Sequence, residues 1–438
     1  MSLFNAFTTA IGGLTAQGRA LGHVADNIAN SQTVGYKRID TAFVSLVTNS
    51  SSRSHDAGSV VARPEFAHDI QGSVEQVTLP TGLAISGGGM FGVSRQAGLD
   101  TNTSLPIFDG RQFFTRAGDF QLDRNGYLVN SAGYFLTGWE VNSQTLAVDR
   151  SKVVPIRVTE RVGAPVPTSE VKVSANLPAN APNSFIVNST IGVYDGLGNL
   201  QTLDVQWQKV APNQWQATIT NTLTPAQNVT FTIDFGPPPA TIPPGTPRQS
   251  TFVSANGGAT LTLSASTPGQ PFTADIGFNF GSGLQTMNFN FGTFAGINGL
   301  TQFAGDDYEV RSIERNGVPP GAFSSVTITE SGNVVINYDN GQQRTTYRVP
   351  IYTFPDVNQL KREDGQAFTQ TQESGAGNPQ DAGRQGAGRL VVSAIERSNV
   401  DIATEFTRLI QAQRAYTSNA RVITTTDELL VDTINLKR

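Results

Sequence analysis

Cysteine is absent from the 438 residues, which removes disulfides, thiolate metal sites and cysteine nucleophiles together. Charge is scarce too: Asp, Glu, Lys and Arg make up 15% of the chain, where about 25% is usual. The net charge is −5, from 30 basic and 35 acidic side chains. No basic run occurs, which argues against nucleic acid or anionic membrane as the main partner. No eighteen-residue apolar run is present, so nothing is expected to span or insert into a membrane. Met1–Ala10 lacks a basic n-region and does not read as a cleaved secretory signal.

The residues that usually carry catalysis are equally sparse. The histidines are His23, His55 and His68; none pairs at i,i+4, no Gly-x-Ser-x-Gly elbow occurs, and His68-Asp69 reads as solvated loop. The acidic residues form no cation loop. Gly87-Gly88-Gly89-Met90-Phe91-Gly92 satisfies G-x-G-x-x-G literally, but hairpin sequence follows where a dinucleotide site needs a helix. The expectation is a chain with no catalytic residue, no cofactor and no metal.

The shortage of charge is concentrated. Between Asn176 and Gly305 the charged residues are Asp195, Asp204, Lys209, Asp234, Arg248 and Asp275, among many Thr, Asn, Gln, Ser and Gly. Such a surface suits an extracellular β domain or dense packing between identical subunits.

What the chain does have is two matching ends. Phe7, Leu14, Leu21 and Ile28 recur at steps of seven, with Phe4, Ile11, Gly18 and Ala25 three residues earlier. Ile402, Leu409, Tyr416, Ile423 and Leu430 repeat that step, with Phe406, Ala420 and Ile434 beside them. A sustained 3.5-residue period keeps one seam facing a partner helix, so the two terminal helices are expected to pair as a coiled coil. The seam is narrow and diluted by Gly18, Gln413 and Asp427, which predicts ends that order only when packed among copies of the chain.

Between the ends, strand and turn signals dominate. The first helix should stop near Asn30, because Ser31-Gln32-Thr33-Val34-Gly35 brings in β-branched and turn residues. Asn49 to Ala62 reads as a polar loop. Hairpin sequence runs from about Gln76 to Trp139, with turns at Asp109-Gly110 and Asn125-Gly126. A second β block spans about Val154 to Asn298, interrupted by a proline-rich stretch from Gly236 to Pro247 that reads as an exposed loop. A meander follows at Ser325–Thr329, Val334–Tyr338 and Arg344–Tyr352, and Gly365 to Gly388 reads as a linker. The expected fold is multidomain and mainly β, with nested discontinuous β domains and paired terminal helices. Its predicted parts are a helical core at 1–33 and 398–438, a connecting region at 34–75 and 365–397, a first β domain at 76–150 and 299–364, and an inserted outer β domain at 151–298.

One segment speaks to function. Asn27-Ile28-Ala29-Asn30-Ser31-Gln32-Thr33-Val34-Gly35-Tyr36-Lys37 resembles the N-terminal signature of bacterial flagellar rod and hook axial proteins. Asn27 and Asn30 can bond nearby backbone, Gly35 permits a turn, and Tyr36-Lys37 sends the chain outward. Glu396-Arg397-Ser398-Asn399-Val400-Asp401, Glu405-Phe406 and Gln411-Ala412-Gln413-Arg414-Ala415-Tyr416 are similar to the closing helix of the same family. Ser398 or Asn399 is the expected N-cap there, with Asp401 in the first turn. Thr115–Asp123 resembles the family's first β domain, while Leu300–Ala304 and Tyr338–Gln342 resemble the returning half found in hook subunits. Met90 departs from relatives that carry Phe there.

The resemblance implies a structural subunit of the flagellar hook, outside the cell, polymerising into a curved flexible tube that acts as a universal joint between rod and filament. It implies a helical homopolymer as the main partner. The distal rod protein, the hook–filament junction protein, the hook cap and the type III export apparatus would be the others. The implied packing residues are Phe7, Ile11, Leu14, Leu21, Ile28, Ile402, Phe406, Leu409, Tyr416, Ile423 and Leu430. The implied motif residues are Asn27, Asn30, Thr33, Gly35, Tyr36, Lys37, Asn399, Glu405 and Gln413. Alternatives are a distal-rod or hook–filament junction subunit and a secreted β-rich adhesin, which the paired ends would leave unexplained.

Overall fold

The computed structural model describes residues 3–50, 55–101, 104–142, 145–159, 162–236, 243–281 and 283–435. The chain divides into two compact units, one formed by 1–159, 324–337 and 343–438, the other by 160–323 and 338–342. The first unit draws on three separate stretches of the chain, so its fold is discontinuous.

The first unit holds both terminal helices, α1 (Leu3–Ala29) and α2 (Ile402–Asn435). They pack against each other. No helix among the described residues is long and apolar enough to cross a membrane.

After α1 the chain forms a long antiparallel hairpin, β1 (Ile39–Ser50) and β2 (His55–Phe66), with Ile39 opposite Phe66 and Ser50 opposite His55. This corrects the polar loop expected from Asn49 to Ala62. Its serines and glycine hide the strand signal, but the ladder and the packing of β2 on α1 hold it extended; residues 51–54 lie outside the described ones.

The rest of this unit is sheet. Strands Gln343–Arg348, Tyr134–Val141, Met90–Leu99, Phe113–Thr115, Ala367–Thr369 and Lys361–Glu363 lie side by side in that order. N- and C-terminal segments also pair directly: Val74–Gln76 with Ala394–Glu396, and Leu83–Ser86 with Arg389–Val392. The supposed linker of 365–388 therefore contributes strands Ala367–Thr369 and Asn378–Gln380. Its Gly- and Gln-rich composition reflects tight turns in a sheet rather than freedom.

The second unit is a β sandwich. One sheet runs Ile186–Tyr194, Leu200–Ala211, Gln214–Asn221, Asn228–Asp234, Gln249–Asn256; the other runs Thr260–Leu263, Pro271–Asn279, Leu284–Thr293, Glu170–Asn176, Glu309–Arg315. Side chains alternate with the two-residue period of a half-buried strand. Leu203, Val205 and Trp207, then Trp215, Ala217 and Ile219, then Val229, Phe231 and Ile233 all face the core. Phe272 and Phe291 meet them from the other sheet, with Phe231 and Phe291 ring centroids 5.7 Å apart.

The sequence boundary at 299 shifts. Leu300 is wholly buried in the sandwich core, its N–H donates to Phe291 O, and Thr301 N–H donates to Ala175 O. The chain thus stays with the second unit through Phe323. Residues 237–242 of the expected proline-rich loop fall outside the described residues.

Candidate functional site: a buried polar junction beneath the helix pair

The helix pair uses the seven-residue period of the sequence, in a different register. On α1 the buried positions include Ala10, Gly13, Ala20, Val24 and Asn27. On α2 the matching row is Glu405, Ala412, Asn419 and Thr426, of which Glu405, Ala412 and Thr426 are buried. Asn27 bonds Glu405 at one level, and two heptads away a Cβ on Gly13 would come within 2.8–2.9 Å of the Asn419 side chain. The helices are therefore antiparallel, in contact through small and polar residues. Gly12 faces the hairpin instead, where a Cβ would meet Ser59, and Arg19 donates to Ala62 O of the same hairpin.

The large residues named from the sequence stay at the margins of this seam. Phe7, Leu14, Leu21, Ile28, Leu409 and Ile423 are half-buried, while Ile11, Ile402, Phe406, Tyr416 and Leu430 are exposed, Phe406 by 50%. Hydropathy points to the bulkiest row. The close approach of two backbones selects the smallest.

The motif residues converge where the helices meet the hairpin and the sheet. Asn27 is fully buried at the end of α1 and spends its whole amide: Oδ1 accepts from Ile39 N–H at 2.9 Å and Tyr36 OH at 3.2 Å, and Nδ2 donates to Ile39 O at 2.9 Å and Glu405 Oε2 at 3.2 Å. One side chain thus ties α1, β1 and α2 together. Asn30 Nδ2 donates to Asp26 O at 2.9 Å, and Thr33 Oγ1 donates to Asn30 Oδ1, which ties the end of α1 to the turn beyond it.

Gly35 takes φ +69°, and its N–H donates to Glu396 O at 2.8 Å. A Cβ there would lie 2.4 Å from Ala117 N, so both conformation and space require glycine. Tyr36 is buried beneath the Arg362 guanidinium, 4.3 Å from its ring centre.

Lys37 forms the centre of the junction. Its ammonium donates to Glu396 Oε1 at 2.6 Å and to Ile70 O at 2.5 Å. Both ion-pair side chains are wholly buried. Glu396 Oε1 also accepts from Gly72 N–H at 2.9 Å, and its Oε2 accepts from Arg116 at 2.9 Å. Arg116 reaches on to Ile85 O and Gly87 O. Burial pulls the Lys37 ammonium below its ordinary pKa, and the Glu396 carboxylate opposes that shift. A carboxylate flanked by two cations and a backbone N–H has good geometry on both oxygens, the condition under which a buried ion pair offsets its desolvation.

The N-cap expected at Ser398 or Asn399 falls on Asp401, the residue before the start of α2. Asp401 caps α2, its Oδ1 accepting from Thr404 N–H at 2.9 Å. Asn399 clamps the hairpin instead, accepting from Arg38 N–H and donating to Ala67 O and Ile70 O. Ser398 Oγ accepts from nearby Val400 N–H. Glu405 is buried between Asn27 and Arg408, and Arg408 also pairs with Asp40 of β1. Gln413 sits apart, exposed on α2.

Two members of the junction were not singled out by sequence. Glu396 and Arg116 lie inside the matched motifs, yet nothing in a linear reading brings residues 280 positions apart into contact. His68 is a correction: it is buried, not solvated. Its ring lies between Phe66 at 5.1 Å and Phe368 at 4.5 Å, with Nδ1 on Val357 O at 3.1 Å and Nε2 unpartnered. Burial depresses its pKa to about 4.

The ionised groups of this junction are sealed against one another, and no cluster of His, Cys, Asp and Glu among the described residues could hold a metal. The G-x-G-x-x-G segment links strands Leu83–Ser86 and Met90–Leu99 through a turn, with no helix after it.

Comparison with known proteins matches four family models in order along the chain. These are Flagella basal body rod protein at 7–37, Flagellar hook protein FlgE/F/G D1 domain at 84–186, Flagellar basal body protein FlaE D2 domain at 165–318, and Flagellar basal body rod FlgEFG protein C-terminal at 392–436. A flagellar hook protein FlgE of Brucella suis biovar 1 is 32% identical over 449 residues, covering 100% of both chains. That of Salmonella typhimurium is 28% identical, covering 98% of this chain and 100% of its own. The crystal structure of Helicobacter pylori flagellar hook protein FlgE2 aligns with 72% of this chain and 98% of that one, at a TM-score of 0.44 and 13% identity, too distant to carry an argument. With its full length matched at 32% identity and the four segments in order, the chain belongs to the flagellar hook protein FlgE family.

Proposed function

We propose that this chain is the repeating subunit of the flagellar hook, a structural protein that polymerises with copies of itself into a tube at the cell exterior. The observation that carries this reading is the end-to-end match to FlgE hook proteins. The junction supports it physically. Torque passed between subunits through helical ends is useful only if those ends cannot pivot against their own β unit, and Asn27, Lys37, Glu396 and Arg116 bind them together.

The tube is curved and flexible, and it works as a universal joint between rod and filament. Its further partners are the distal rod protein, the hook–filament junction protein, the hook cap and the type III export apparatus. It catalyses nothing. The apolar residues left at the margins of the helix pair, Phe406, Tyr416 and Leu430 among them, pack against neighbouring copies. The terminal helices gain their full order there.

Electron microscopy of the purified chain under salting-out conditions tests this, beside a version lacking 1–30 and 400–438. Curved tubes from the intact chain alone are expected. Soluble monomers from both would return the protein to the adhesin reading, and straight tubes would favour a rod subunit.

A further inference from the structure

The two lateral edges of the sandwich are built differently. At one, strand Glu309–Arg315 ends its sheet and carries Glu309, Arg311, Glu314 and Arg315, with Arg315 reaching across to Gly192 O of the edge strand Ile186–Tyr194. Charge on an edge strand is the usual guard against pairing with another chain. At the other edge, Gln249–Asn256 ends one sheet and Thr260–Leu263 ends the other, joined by a tight turn through Gly257 and Gly258. No charged residue stands between Arg248 and Asp275, and neither strand contains proline.

This second edge is also apolar where it could be polar. The pairing steps from Thr230 opposite Ser254 to Phe231 opposite Phe252, so Val253 is an extra, bulged residue. Phe252 and Val253 are consecutive, and they are 52% and 46% exposed.

We propose that the Gln249–Asn256 and Thr260–Leu263 edge is a contact surface for a second copy of this chain. This rests on the reading of the protein as a self-polymerising hook subunit. The two edge strands carry no charge of their own, and the charges beside them are Arg248 at the start, Asp234 opposite Gln249 and Asp275 opposite Thr262, so a densely charged partner would lose hydration here with little to offset it. A weakly charged one suits it, and the same unit supplies such a surface, with six charged residues between Asn176 and Gly305. The guarded edge opposite does not match it, so the partner surface on the second copy is another weakly charged part of the same unit.

The absence of cysteine makes the test clean. In the full chain, Val253→Cys introduces a single thiol whose labelling rate is read in soluble monomer and in sedimented polymer. Burial against a neighbour is expected to slow labelling at least tenfold in the polymer, and Phe252→Lys to raise the concentration needed for assembly by about tenfold, equivalent to about 1.4 kcal/mol. Thr251→Lys, on the opposite face of the same strand, provides a second charged variant should Phe252→Lys fail to fold. Equal labelling in monomer and polymer, or assembly of a folded charged variant at the unmodified chain's concentration, would overturn the proposal. If the unmodified chain forms no polymer at all, the hook-subunit reading fails first and this contact falls with it.

Discussion

At the scale of single residues, the junction makes one strong statement about stability. Glu396 neutralises Lys37 and Arg116 where no water reaches, so Glu396→Gln leaves buried positive charge uncompensated and should cost about 3–5 kcal/mol in denaturant unfolding. The double change Glu396→Met with Lys37→Met should cost less than the single one. His68 makes a second statement, about pH. Its folded pKa of about 4 lies below the unfolded 6.5, so between those values the unfolded chain binds a proton that the native ring refuses. Its stabilising contribution is complete above pH 6.5 and falls by about 3 kcal/mol as pH drops to 4. Unfolding curves across that window should flatten in His68→Gln. The sequence marks out residues 27–37 as a segment, because their pattern is dense and local. It did not show that Lys37 needs Glu396, or that Phe66 and Phe368 close over His68, since those contacts join the two ends of the chain.

At the scale of elements, the helix pair shows what periodicity can and cannot fix. A step of seven is present in the sequence and in the structure. The row that closes the pair is Gly13, Ala20 and Asn27 against Glu405, Ala412 and Asn419, and not the row of Leu14, Leu21 and Ile28. Gly13→Val should therefore force the helices apart and destabilise the pair by about 1–3 kcal/mol, visible as lost helical ellipticity or faster proteolysis of the ends. Gly18→Ala, where an added Cβ meets nothing within 4 Å, should instead stabilise α1 by about 0.5–1 kcal/mol. Strands with strict alternation, such as Gln214–Asn221 with Trp215, Ala217 and Ile219 inward, are legible without a structure. The β1–β2 hairpin and strand Ala367–Thr369 are not, because pairing partners rather than composition hold them extended.

At the scale of the whole molecule, the end-to-end resemblance to hook subunits and the layout of the chain agree. Helical ends that carry a spare apolar surface are bolted to a β unit by the junction, and the sandwich offers an edge with neither charge nor proline. Each feature is a liability in a free chain and an asset in a polymer. On assembly the in-chain helix seam should persist while the bulky row turns to neighbouring copies. Helical reconstruction by electron cryomicroscopy of the polymer tests it most directly. Asn27 is expected still against Glu405 and Gly13 still against Asn419 within one subunit, with Phe406, Tyr416 and Leu430 covered by others. Tubes in which those three side chains remain in solvent, or in which α1 pairs with α2 of a different subunit, would contradict it.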